Sequence, residues 1–249
     1  MEHSFSIAPN KRVYAIGDIH GYVDVLRDLH LKIDEDLKQS PIEKVTLIYL
    51  GDYIDRGPDS KGVIDLILSH QKTHSHIEHI CLMGNHEDAM LEFINDPNGP
   101  RQDWVLWGGI EAMESYGMTI ERDHKLVEVA SELAKGLADA LPELHLEFYK
   151  NLGLYHIEDG YMFAHAGLRP NVAHDKQTKR DLTYTRSPFL NHEELHPHYV
   201  VHGHTISPNK KADILSNRMN LDSGLYEGGP LSCGVFEGTS IKVLEAWQT

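Results

Sequence analysis

The chain has 249 residues, and 23 Lys and Arg against 38 Asp and Glu give it a formal net charge of −15. So acidic a surface repels phosphodiester backbones and argues against a non-specific nucleic-acid binder. A content of 41% hydrophobic and 24% charged residues excludes global disorder.

The opening MEHSFSIAPNKRVYAIGD lacks the apolar run of a signal peptide, and no window approaches the ~18 apolar residues of a membrane span. No membrane partner is expected. Three segments then share one grammar of apolar strand, Gly-Asp or Gly-Asn turn, and helix. Arg12 to Ile16 runs into GDIHG, with helical spacing from Tyr22 to Leu37 through Val25, Leu26, Leu29 and Ile33. Lys44 to Leu50 runs into GDYIDRG, with Val63, Ile64, Ile67 and Leu68 on the next helix. Ile77 to Met83 runs into GNHE, followed by Ala89, Met90 and Phe93. Repeated strand–loop–helix units predict a largely parallel sheet, whose ligands gather at the carboxyl ends of its strands.

Residues 95–151 begin with the breaker run NDPNGP and continue into a mixed-charge, mostly helical stretch from Leu126 to Tyr149. They read as a helical cap or insertion within a single domain spanning 1–249. Trp104 and Trp107 read as anchors of that cap, with substrate stacking as the second reading. Strand character resumes at Tyr155 to Ala164 and Tyr199 to Val201, each ending at a histidine loop, HAG and HGHT. The tail from Ile214 to Trp247 holds short β runs. Cys81 and Cys233 sit in apolar runs and are expected as buried thiols, which suits a reducing, cytoplasmic compartment.

The 18 histidines are the composition's outlying number, since imidazole is both a proton carrier near neutral pH and the commonest metal ligand. The strand-end loops deliver Asp18, His20, Asp52, Asn85, His165 and His204. Two carboxylates, one amide oxygen and three imidazoles can surround two divalent cations, with one carboxylate bridging ions about 3.5–4 Å apart. Oxygen and nitrogen ligation without thiolate suits manganese, iron or zinc, with manganese the first choice. His70, His74, His76 and His79 form another cluster, as do His192, His196 and His198. Both read first as solvated histidines and second as surface chelators.

The motifs GDIHG, GDYIDRG, GNHE, HAG and GHT, at Gly17, Gly51, Gly84, His165 and Gly203, stand in the order used by calcineurin-like metallophosphoesterases. Intact GDYIDRG and GNHE resemble the phosphoprotein phosphatase branch, and HAGLRP…RDLTYTRSPFL resembles its bacterial serine/threonine phosphatases. The resemblance implies an α/β fold with two sheets in a β-sandwich flanked by helices, a four-layer αββα arrangement with a helical insertion. It also implies two divalent ions, with Asp18 and His20 on one, Asp52 bridging, and Asn85, His165 and His204 on the other. Ile206 stands where some relatives place a further ligand histidine, and His202 is expected beside the metals rather than on them.

By the same resemblance Arg56 and Arg186 grip phosphate, since a phosphoryl group spreads charge over three oxygens and calls for cations and forked donors. Tyr184 stands before Arg186 where the family has Trp. His86 protonates the leaving alkoxide and Asp55 orients it. Arg169 is expected to be structural, and Tyr226 lies near the site with no required chemistry. The expected activity is hydrolysis of phosphoserine or phosphothreonine, with phosphotyrosine as a further possibility, in a phosphoprotein or a phosphorylated small molecule. The alternative is diadenosine tetraphosphate hydrolysis. Symmetric dinucleotide hydrolases usually carry a GDLVARG-like motif and GNHD, so GDYIDRG and GNHE lean toward the phosphatase. A non-catalytic scaffold would require loss of a ligand or of the acid, and none is lost.

Overall fold

The computed structural model describes residues 5–122, 126 and 128–248. Strand β1 (Lys11–Ile16) is followed by helix α1 (Val23–Gln39), β2 (Lys44–Tyr49) by α2 (Ser60–Thr73), and β3 (Glu78–Cys81) by α3 (Asn85–Asn95). A short 3-10 turn over Gln102–Trp107 leads to α4 (Gly109–Ser115), α5 (Ala130–Ala140) and α6 (Glu143–Lys150). Within the predicted stretch 126–149, α5 and α6 are separate helices broken before Pro142, and Val127 lies outside the described residues. Beyond them come β4 (Tyr155–Glu158), β5 (Tyr161–Ala164), α7 (Lys179–Thr183) and α8 (Ser187–Leu190). The chain then runs through β6 (Tyr199–His202), β7 (Asp213–Ile214), β8 (Arg218–Asn220), β9 (Leu231–Glu237) and β10 (Ser240–Ala246).

The segment read as one strand, Tyr155 to Ala164, is instead the hairpin β4–β5. It turns at Asp159-Gly160, where Asp159 takes φ +50°, and an Asp-Gly pair between apolar runs is a strong hairpin signal.

Two mixed five-stranded sheets result, ordered β10-β9-β1-β2-β3 and β4-β5-β6-β8-β7. β1, β2 and β3 are parallel, as the repeated grammar predicted, and β9 joins β1 antiparallel. Alternation along the strands sets the layers. Val13 and Ala15 of β1 meet Tyr161, Phe163, Tyr199 and Val201 of the other sheet in an apolar core. Tyr14 and Ile16 face the opposite way, into the core beneath α1 and α2 that holds Leu26, Leu29, Ile33 and Ile64. Met162, Ala164 and Val200 pack outward against Leu182 and Phe189 of α7 and α8. The order is therefore helices, sheet, sheet, helices, an α/β architecture buried on both faces of each sheet. Trp104, Met113, Ala130, Leu137 and Tyr149 of the 95–151 segment join the same core as α1 and α2.

Candidate metal and phosphate site

β1, β2 and β3 end at one edge, and their loops are tied together there. Ile19 and His20 donate their backbone N–H groups to the Asp52 carbonyl at 3.0 and 2.9 Å. His20, Asp52, Asp55, Arg56 and His204 all take positive φ, between +47° and +72°. Each such residue costs free energy that the surroundings must offset, and such strain clusters at functional sites. Two glycines make room for the carboxylates: a Cβ at Gly84 would collide with Asp52 Oδ1, and one at Gly203 with Asp18 Oδ1.

All six predicted ligand residues converge on this edge. His165 Nδ1 donates to the Leu50 carbonyl at 3.0 Å, which leaves Nε2 with a lone pair. That lone pair faces Asn85 Oδ1 at 3.0 Å and Asp52 Oδ1 at 3.3 Å, both acceptors. His204 Nδ1 reaches the same Asn85 oxygen at 2.7 Å. His20 repeats the pattern: Nδ1 donates to the Ile54 carbonyl at 2.9 Å, and Nε2 faces Asp52 Oδ2 at 3.7 Å. Acceptors held against acceptors on both sides of Asp52 are the donor set a cation requires, so the residues fit a pair of divalent metal ions.

Electrostatics point the same way. Asp18 is buried, accepts the His204 backbone N–H at 3.0 Å, and has its carboxyl pushed well above the usual range by burial and by Asp222 and Asp52. Burial likewise lifts Asp222 to about 7, with Asp52 adding to the effect. Asp52 is drawn down despite burial by His165, His86 and His20. Three carboxylates in one buried volume repel, and divalent cations relieve that repulsion. Burial and His86 hold His20 neutral, with its pKa lowered to about 3.

His86 Nδ1 lies 2.6 Å from Asp55 Oδ2, and its Nε2 lies 3.8 Å from Asp52 Oδ2. Burial opposes the imidazolium, but Asp52 and Asp55 outweigh it and raise its pKa to about 9. Asp55 is held in turn by Trp104, whose indole N–H donates to Oδ2 at 2.7 Å. Trp104 thus does more than anchor the following segment, a link between residues 49 positions apart that the sequence did not disclose.

Arg56 and Arg186 are both exposed at the rim. Arg56 lies over the Tyr226 ring at 5.1 Å, while Arg186 donates to Thr205 Oγ1 at 3.2 Å. Tyr226 also meets His20 edge-on at 5.0 Å, so it lines the site. Tyr184 takes up the place expected for Trp by donating toward the Asn85 carbonyl and Asp88. Arg101 stacks on it at 4.6 Å and on Trp107 at 5.6 Å, and Trp107 in turn contacts His86. Arg169 pairs with Asp181 at 3.6 Å in the α7 cap. His202 is buried against Phe189, and its Nδ1 lies 3.0 Å from the Gly203 carbonyl.

Sequence reasoning missed Glu87. This fully buried carboxylate accepts from the backbone N–H groups of Asp52, Tyr53, Ile54 and Gly84 at 2.8–3.3 Å. It closes the cap of α3, which presents Asn85 and His86 in its first turn, and ties it to the loop that carries Asp52. The only sequence signal was its place in GNHE, three residues past the cap glycine, where an acidic residue closes a capping box.

A family model described as calcineurin-like phosphoesterase matches residues 11–215. The chain is a calcineurin-like phosphoesterase. It is 26% identical to an asymmetrical bis(5'-nucleosyl)-tetraphosphatase, PrpE, of Oceanobacillus iheyensis, over 89% of this chain and 87% of that one. The same identity relates it to the PrpE of Anoxybacillus flavithermus, over 87% of each chain. A crystal structure described as that of a candidate diadenosine tetraphosphatase superposes with a TM-score of 0.60 at 22% identity, over 98% of both chains, which shows the shared fold. A phosphoester hydrolase with a divalent-metal site is therefore the activity class of this phosphoesterase.

Proposed function

We propose that this phosphoesterase hydrolyses dinucleoside tetraphosphates asymmetrically, leaving a nucleoside monophosphate and a nucleoside triphosphate. The observation that carries the reading is near-full-length similarity to the two PrpE tetraphosphatases. It favours the dinucleotide alternative over the phosphoserine and phosphothreonine substrates expected first. The site suits such a substrate, because Arg56 and Arg186 leave two exposed guanidinium groups at its rim, while Arg101, paired with Glu92 at 3.1 Å, stacks on Tyr184 and Trp107 beside it. Trp107 and Tyr226 add aromatic faces on which a base can stack.

In this reading Asp18, His20, Asp52, Asn85, His165 and His204 hold two divalent ions, with manganese our first choice. When bound, the ions supply positive charge to the phosphoryl oxygens and acidify water. Arg56 and Arg186 neutralise the charge that builds on the oxygens during in-line displacement. His86 carries a proton on Nε2 toward the leaving oxygen, and Asp55 holds the ring through Nδ1. Water adds to phosphorus, one P–O–P bond breaks, and the leaving phosphate takes the pair of electrons. Residues 95–151 act as the cap, contributing Arg101 and Trp107 to the rim and the buried Trp104 to the support of Asp55.

A side-by-side assay with manganese tests this, using diadenosine tetraphosphate, a phosphoserine peptide and p-nitrophenyl phosphate. The expected result is a kcat/KM for the dinucleotide at least ~100-fold above the others, with ATP and AMP as products. A phosphopeptide turned over as well or better returns the substrate to phosphoproteins.

A further inference from the structure

Away from the catalytic edge, α1 and α2 enclose a group of histidines that the chemistry above leaves unused. Both helices begin at that edge, and Asp34, His70 and His74 lie ten or more residues along them, roughly 15 Å further on. His70 and His74 are four residues apart, so they share one face of α2, and their rings stack with centroids 4.0 Å apart.

The hydrogen bonds fix which nitrogens carry protons. His79 Nδ1 lies 3.0 Å from the Ile77 carbonyl and must donate to it, so the neutral ring's Nε2 is an acceptor. That acceptor sits 3.0 Å from His70 Nδ1, which therefore donates and leaves His70 Nε2 with a bare lone pair. His70 is only 6% exposed, and its Nε2 has no hydrogen-bond partner among the described residues. His74 Nδ1 donates toward Thr73 Oγ1 and the His70 carbonyl at 3.0 and 3.3 Å, and its Nε2 faces Asp34 Oδ1 at 3.6 Å. One ring nitrogen of His70, one of His74 and a carboxylate oxygen of Asp34 lie within 4.8 Å of one another, beside the unpartnered lone pair on His70 Nε2.

We propose that Asp34, His70 and His74 form a second cation site, built to bind one zinc-class divalent ion between α1 and α2. Two imidazoles and one carboxylate select borderline ions such as zinc, cobalt or nickel over magnesium or calcium. Tetrahedral zinc with bonds near 2.0–2.2 Å sets its ligand atoms roughly 3.3 Å apart, close to the His74–Asp34 spacing, with water completing the shell. Stacked rings cannot both aim an in-plane lone pair at one ion, so the half-buried His74 ring swings out of the stack when the ion binds. Burial and the neighbouring histidines keep His70 neutral, its pKa lowered to about 4, so no proton competes for it near neutrality. An ion here ties α1 to α2 and is separate from the phosphate chemistry.

The test is zinc stoichiometry, by elemental analysis of chelator-stripped, reloaded and dialysed protein. Wild type is expected to hold one equivalent more than His74→Ala and one more than Asp34→Asn. His76→Ala, altering an exposed histidine of the same cluster, is expected to hold as much as wild type. Chelator-treated His74→Ala should melt within a few degrees of chelator-treated wild type, which separates loss of the ion from loss of the fold. Equal zinc in wild type and His74→Ala would overturn the site, as would an equal loss in His76→Ala, which would indicate loose surface chelation.

Discussion

Trp104 Nε1 donates a 2.7 Å hydrogen bond to Asp55 Oδ2, the same oxygen that lies against His86 Nδ1. One carboxylate oxygen therefore receives both the indole and the imidazole, and the indole fixes where the imidazole can stand. Trp104→Phe keeps most of the packing and removes the donor. A hydrogen bond to a charged group is worth about 1.5–3 kcal/mol, so kcat should fall roughly 10- to 100-fold with metal content unchanged. A variant with wild-type kcat would show that Asp55 needs no such support.

His86→Asn should retain both metals and lose about 10²–10⁴-fold in turnover of an ester such as p-nitrophenyl phosphate or a phosphopeptide. The loss should be smaller on a dinucleotide, because a phosphate leaving group needs less help from an acid than an alkoxide does. Asn85→Ala and His204→Ala, in contrast, should lower metal content as well as rate. Elemental analysis beside steady-state rates distinguishes the two classes, and metal loss from His86→Asn would recast His86 as a ligand.

Glu87→Gln replaces an acceptor of four backbone N–H groups by one that must turn an NH2 toward some of them. Leaving buried donors unpaired should cost about 2–4 kcal/mol. The loop bearing Asp52 should slacken as well, so metal affinity should drop together with Tm. A variant that lost stability but bound metal normally would confine Glu87 to a helix cap.

Acid should destabilise the metal-free protein through the histidines that burial keeps neutral, against the opposing effect of the buried carboxylates Asp18 and Asp222, whose raised pKa values favour the folded state as they protonate. Burial lowers the pKa of His30 to about 3, and that of His70 to about 4. In the unfolded chain both bind protons below about 6.5. Between those values the unfolded state holds more protons, so stability falls as pH falls, by about 1.4 kcal/mol per pH unit for each such histidine. Denaturant midpoints measured in chelator from pH 7 to pH 4.5 should show this slope, and His30→Leu should lessen it. An unchanged slope in His30→Leu would mean that His30 is protonated in the native state.

The parallel strands and the convergence of the six candidate ligand residues were legible because each is local: an apolar run, a glycine turn and a polar residue within a few positions. Residues that hold that first set in place were not. Glu87 reaches back 35 positions to Asp52, and Trp104 reaches back 49 to Asp55. Asp222 meets Asp18 only because the second sheet folds over the first. No period or spacing in a single chain encodes such meetings, which arise from sheet order. The substrate was harder still, because one metal site serves monoesters and anhydrides alike, and the rim that separates them is built from irregular chain.

Strand β9 lies between β10 and β1, with Ile16 opposite Cys233, and Gly17 donates its N–H to the Ser232 carbonyl at 3.0 Å. On the ribosome, then, β1 waits for a neighbour made more than two hundred residues after it. A nascent chain halted before residue 231 already contains the six candidate ligand residues but leaves one flank of β1 open, an edge ready to pair with the wrong neighbour. Until β9 is in place, the strand that leads into Asp18 has a neighbour on one side only.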